Sequence, residues 1–184
     1  MNTDSTSTKE QGSEIEKIRH SLAHILAQAI MRLYPEAKIG IGPAIENGFY
    51  YEVEIPEELT EKALPKIEKE MKKITEEELP ITQLILPRDQ AFDMLHQQGQ
   101  IYKTELLQEV PDEEISFYRT GDDFIDLCRG PHVSHTGKLK VFKLTKIEKV
   151  HWKGDPSRPE MYKISGIAFQ TEKELNDFLK WEEE

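Results

Sequence analysis

Apolar residues first recur at helical spacing: Ile15, Ile18, Leu22, Leu26, Ala29 and Leu33 fall on one stripe. Ser13 and Glu16 form a capping box ahead of it and Pro35 closes it, which predicts a helix from Ser13 to about Tyr34. Residues 1–13 are polar and low in complexity, and read as a disordered tail. From Ile39 the period changes. Apolar positions alternate through Ile39–Val53 around an Asn47-Gly48 pair, predicting two strands and a hairpin turn. An amphipathic helix is expected over 57–79, with Leu64, Ile67, Met71 and Ile74 inward. A short strand at 81–86 follows, then a helix from Asp89 that stops at Gly99, and a further helix opened by Tyr102 and Lys103. Strands are expected at 115–120 and 124–127, at 141–152, and at 161–169. A second capping box, Thr171 to Glu174, opens a final helix through Trp181.

Strands joined by tight turns with segregated helices predict an α+β fold: two layers, a largely antiparallel sheet packed with helices. Residues 14–184 read as one domain, with about 57–112 as a small mixed helical insertion packed on the main sheet. At 184 residues the chain has the length of a single domain with its own core. The lone Cys128 excludes an internal disulfide and fits a reducing compartment. No apolar run approaches the roughly 20 residues of a membrane span, and the first residues carry no signal segment. Cytosol is the expected location.

A formal net charge of −11 argues against a general nucleic-acid binder. The charge is uneven, however. Between Lys138 and Lys163, Lys138, Lys140, Lys143, Lys146, Lys149, Lys153, Arg158 and Lys163 oppose only Glu148, Asp155 and Glu160. Such a strip can hold a phosphate backbone on an acidic protein, or be a solvated sheet face.

The chemistry concentrates in two short stretches. Arg19-His20-Ser21-Leu22-Ala23-His24 puts two histidines four residues apart on the first helix, opposite the apolar stripe and beside Ala27 and Met31. Helix coverage on two sides, with both rings facing a lined cavity, is therefore expected. About a hundred residues later, Asp126-Leu127-Cys128-Arg129-Gly130-Pro131-His132 places a cysteine and a histidine at the same spacing, on a turn beyond a strand end. Three readings stand side by side: a tetrahedral zinc set of His20, His24, Cys128 and His132, a hydrolytic site, or a packed core. Asp126 lies one strand alternation before Cys128 and can share its face, which supplies the parts of general-base hydrolysis. Lys103 can add a positive charge for an oxyanion or phosphate, or be a surface lysine. The glycines at 40 and 42 let a backbone or ligand approach closely and do not make a phosphate loop.

Four stretches taken together, R-H-S-L-A-H at 19–24, I-G-P-A-I-E-N-G-F-Y-Y at 41–51, D-L-C-R-G-P-H at 126–132 and W-K-G-D at 152–155, resemble the editing domain of bacterial-type threonyl-tRNA synthetases. The likeness runs from about Glu14 to the end and extends to the related alanyl-tRNA synthetase editing domain. It implies hydrolysis of serine wrongly attached to tRNA(Thr). His20, Lys103 and Asp126 match the family's catalytic positions. His24, Cys128 and His132 match its pocket, and Gly42 and Asn47 would flank the terminal adenosine and seryl group. In the alanyl relatives the quartet holds zinc, whereas the threonyl branch edits without it. No cofactor is therefore expected, zinc at His20, His24, Cys128 and His132 being the alternative. The implied partners are the serine-charged acceptor end of tRNA(Thr), no membrane, and a synthetase catalytic domain if the chain is an excised fragment rather than a free-standing trans-editor. Competing readings are an inactive tRNA-binding module, a structural zinc domain and an alanyl-type editor.

Overall fold

The computed structural model describes residues 4–183, with side chains from residue 14 onward. Helix α1 spans Asp4–Leu33 and so begins ahead of the expected Ser13. The Ser13 cap itself and the predicted disordered tail lie outside the described side chains. From Ser21 to Ile30 every residue of α1 is buried, the pattern of a helix covered on all sides. Its polar members Ser21, His24 and Gln28 recur at i, i+3 and i+7. They form one buried stripe opposite the apolar one.

The apolar stripe packs on a five-stranded antiparallel sheet. In chain order its strands are β1 (Lys38–Ile39), β2 (Ala44–Ile45), β3 (Gly48–Glu54), β7 (Phe142–His151) and β8 (Glu160–Ala168). The sheet runs β1-β3-β8-β7, and β2 folds back on β3 through a two-residue turn at Glu46-Asn47. Asn47 takes φ +65 there, a conformation its short polar side chain tolerates. Helix α2 (Leu64–Glu76) lies beside α1 and against β7, contributing Ile67, Met71 and Ile74 to the same core. It is shorter than the 57–79 expected, because Thr60 caps a separate 3-10 turn at Glu61–Ala63 and Pro65 sits in the first turn of α2.

A second sheet corrects the expectation of one. Strands β4 (Ile81–Pro87), β5 (Glu114–Thr120) and β6 (Phe124–Leu127) pair only with each other, in the order β4-β5-β6. Helices α3 (Arg88–Gln97) and α4 (Ile101–Glu109) cover one face, where Ala91, Leu95 and Leu107 meet Ile115 and Phe117. Strand alternation then turns Phe124 and Asp126 to the opposite face, toward α1, while Ile125 and Leu127 join the α3–α4 cluster. The polar stripe of α1 meets that face: the Gln28 amide donates to Asp123 at 2.9 Å, and His24 lies 3.5 Å from Asp126. The structure is thus α+β with two antiparallel sheets, and α1 between them. Helix α5 (Glu172–Glu183) closes the chain, its start capped by Thr171, which accepts from the Glu174 N–H at 3.2 Å. No helix of the described residues is long and apolar enough to cross a membrane.

Candidate active site

The two sequence stretches converge where α1 crosses the end of β6. Cys128 Sγ lies 3.3 Å from His20 Nε2 and 3.2 Å from His132 Nε2, and accepts the Gly130 N–H at 3.2 Å. The imidazoles pack on one another: His20 and His132 stack at 4.2 Å between ring centroids, and His24 lies 4.1 Å from His132. Behind them is a charged layer. Lys103 Nζ is 2.7 Å from Asp126 Oδ1, the Tyr51 hydroxyl donates to Asp126 Oδ2 at 2.6 Å, and His24 Nε2 stands 3.5 Å from the same oxygen. Lys103 and Asp126 are 4% and 2% exposed, which removes the surface-lysine reading.

Electrostatics separate the two layers. Burial lowers the pKa of His20 and holds His24 down at about 4, against the pull of Asp126. His132 is also lowered, by burial and then by the other two imidazoles. Burial pushes the Cys128 thiol up to about 12. All four are therefore neutral at pH 7. For Asp126 burial raises the pKa, but Lys103 first, then His24 and the bonds from Lys103 and Tyr51, bring it below the usual carboxylate value. Tyr51 rises well above its ordinary value, through burial and the adjacent carboxylate. One ion pair sits under a set of uncharged donors.

A cleft of about 690 Å³ opens on the outer layer. His20 forms part of its wall, with Arg19, Pro43–Glu46, Gly130 and Pro131 around it. Arg19 is fixed by donating to the Ala168 carbonyl at 2.9 Å and lies over the Phe169 ring. Of the expected residues, His20, Lys103, Asp126, Cys128, His132 and His24 form one contiguous cluster. Gly42 and Asn47 flank the cleft lip without lining it. Gly42 has another duty: a Cβ there would stand 2.1 Å from the Tyr51 ring, so only glycine leaves room for Tyr51 to reach Asp126.

The residues not anticipated are the supports. Tyr51 sits on β3, where its inward alternation was legible but its partner was not. Ser21, between the two histidines, lies 3.0 Å from His132 Nδ1 and accepts the Val133 N–H at 3.1 Å, tying the loop to α1. Tyr118, paired with Asp126 across β5–β6, packs against His132 at 4.6 Å.

The donor set also suits a metal. One ligand atom each from His20, His24, Cys128 and His132 lie within 4.8 Å of one another. Bonds of about 2.0–2.3 Å in a tetrahedral zinc site need donors about 3.3–3.8 Å apart, so the cysteine–histidine contacts of 3.3 and 3.2 Å stand at the short edge of that range. The Ser21 hydroxyl at His132 Nδ1 would orient that ring as a ligand.

A family profile described as "Threonyl and Alanyl tRNA synthetase second additional domain" matches residues 115–164, which include Asp126, Cys128 and His132. A threonine--tRNA ligase of Clostridioides difficile (strain 630) is 48% identical over 175 residues, 95% of this chain and 27% of that protein. The corresponding ligase of Marinobacter nauticus is 45% identical over 175 residues, again 95% and 27%. That of Clostridium tetani is 48% identical over 168 residues, 91% of this chain and 26% of the relative. The chain thus spans about a quarter of the length of these relatives. Cys128 and His132 fall inside both kinds of match, and over nearly its whole length the chain matches the threonyl members of the proteins that carry the threonyl and alanyl tRNA synthetase second additional domain.

Proposed function

We propose that this domain hydrolyses the ester of seryl-tRNA(Thr), removing serine from the threonine acceptor. The observation that carries the reading is His20: a neutral imidazole on the cleft wall, backed through His24 by the buried Lys103–Asp126 pair. A base must be unprotonated to accept a proton, and burial provides that near pH 7. The Cys128 thiol, 3.3 Å from His20 Nε2, and the stacked His132 ring steady the imidazole. His20 takes a proton from water directly or by way of the terminal ribose hydroxyl. The water oxygen adds to the ester carbonyl, the carbon–oxygen bond to the ribose breaks, and that oxygen leaves with a proton while serine departs as the acid. Lys103 and Asp126 position the water and set the local field. His24, Cys128 and His132 shape the pocket, with Gly42 and Asn47 holding the lip against the terminal adenosine.

The need for such a reaction is physical. Serine lacks one methyl of threonine, worth only about 1–3 kcal/mol of discrimination in a synthetic site. On this reading the partners are tRNA(Thr) and a synthetase catalytic domain that generates the mischarged product. The basic strip is narrower than its sequence suggests, since Lys146, Lys149, Lys153 and Arg158 are paired with Glu148, Glu58, Glu109 and Glu105. Lys138, Lys140, Lys143 and Lys163 are the cations we assign to phosphate contact.

Catalysis here is proposed to run without a metal. A zinc ion on all four donors would be closed to water and would supply folding energy rather than a nucleophile, and it would occupy His20. The deciding experiment measures release of labelled serine from seryl-tRNA(Thr) by the chain and by His20→Ala, with threonyl-tRNA(Thr) as control. Release that depends on His20 and spares threonine supports the proposal. Binding without release would leave a tRNA-binding module.

A further inference from the structure

The W-K-G-D stretch at 152–155 plays no part in the chemistry above, yet its backbone and side chains are held by several specific contacts. Trp152 is fully buried and leads a 3-10 turn, Trp152–Gly154, in which Lys153 and Gly154 adopt φ +58 and +69. The loop locks on itself: the Asp155 N–H donates to the Trp152 carbonyl at 3.2 Å, and the Arg158 N–H to the Asp155 carbonyl at 2.9 Å. Its outward contacts gather on α4. The Trp152 indole N–H donates to Glu105, its ring lies 4.9 Å from Tyr102, Arg158 pairs with Glu105, and Lys153 pairs with Glu109.

Tyr102, Glu105 and Glu109 are at i, i+3 and i+7, one face of α4. Lys103 is the neighbour of Tyr102, and its ammonium is the one that meets Asp126. A nine-residue helix without a side-chain N-cap does not hold itself in place, so α4 sits where its contacts put it. At its far end Leu107 belongs to the cluster under the second sheet, whereas Tyr102 packs with Trp152 and Met161 of the first. Gly40 on the first sheet leaves space for the indole, since a Cβ there would stand 2.7 Å from Trp152 Cζ3. The ion pair therefore joins two sheets through a helix held by the 152–158 turn along one face, by Gln100, which accepts the Ile39 N–H at 2.9 Å, at its start, and by the Tyr102 hydroxyl, which donates to Glu54.

We propose that this turn is a positioning device for Lys103: Trp152 and Glu105 act through the lysine and touch none of the reacting atoms. The inference rests on the functional reading for its rate consequence, but not for its structural one. A displacement of about 1 Å at a reacting group can cost up to about 100-fold in rate. We expect Glu105→Ala to lower the rate at saturating seryl-tRNA about tenfold, by that same geometric sensitivity, with half-saturation unchanged. Glu105→Gln still accepts the indole N–H and should recover most of the rate. In a Lys103→Met background Glu105→Ala should cost nothing more, because the residue it acts through is gone. An equal loss in both backgrounds, or no loss in wild type, overturns the proposal.

A second readout does not need turnover. The 15N-detected ammonium signal of Lys103, protected by burial and Asp126, should persist in wild type and broaden away in Glu105→Ala and Trp152→Phe. If it stays sharp in both, the turn does not position the lysine. If wild type releases no serine while the signal behaves as expected, the functional reading fails and the positioning role stands.

Discussion

Replacing Lys103 with methionine tests the charged layer most directly. The substitution keeps most of the side-chain volume and removes one charge from a pair 2.7 Å apart and almost fully buried. Asp126 then keeps only the Tyr51 hydroxyl and, at 3.5 Å, His24. Removing one partner of a buried pair leaves an uncompensated charge, a loss of about 3–5 kcal/mol. The pH dependence gives the reasoning a signature. In wild type the Asp126 pKa is depressed, so its contribution is full above the unfolded carboxylate value and is lost as pH falls through the folded one. Without Lys103, burial dominates and raises that pKa above the unfolded value. The variant is then penalised most at neutral pH, and its deficit shrinks by up to about 1.4 kcal/mol per pH unit below the raised pKa. Urea unfolding followed by circular dichroism at pH 7.5, 6 and 5 measures the deficit directly. Lys103→Met/Asp126→Asn, which removes both charges, should lose less than the single variant at pH 7.5. A single-variant deficit under about 1 kcal/mol, or one that does not change with pH, would refute a tightly coupled pair.

Tyr51→Phe deletes a hydrogen bond to a charged acceptor and should cost about 1.5–3 kcal/mol in the same urea assay. Gly42→Ala, whose Cβ meets the Tyr51 ring, should lower both stability and serine release; unchanged turnover would show that Tyr51 is not needed in place. The pH–rate profile should rise at acid pH with a midpoint below the ordinary histidine value of about 6.5, then level off by neutrality, because His20 titrates low and only its neutral form accepts a proton. A midpoint above 7 would point to a different base. Chelator should leave the serine-release rate unchanged, and stoichiometric zinc whose removal unfolds the chain would instead establish a structural metal site.

Much of the site was legible because its residues come in short local patterns. The i, i+4 spacing placed His20 and His24 on one helix, and the Gly-Pro pair put Cys128 and His132 on a loop beyond β6. The burial of α1 on two sides was legible too, from apolar neighbours beside the histidines. The split into two sheets was not, because strand periodicity shows which face is inward but not which strand is the neighbour. The neutralised lysines escaped for a related reason: Glu58, Glu105 and Glu109 lie far from Lys149, Arg158 and Lys153 in the chain.

The sequence by itself determined which residues are chemically able to act, and the α+β class of elements that carries them, because ligand type, helical spacing and strand alternation are local properties. Tertiary structure alone decided that Lys103 is buried against Asp126, that Tyr51 and Ser21 brace the cluster, and that Gly42 serves a tyrosine. The Tyr51–Asp126 and Ser21–His132 contacts join positions 75 and 111 residues apart, and even the nearer Lys103–Asp126 pair joins a helix to a strand that local patterns do not connect, so only the packing of α1 between two sheets brings these groups together.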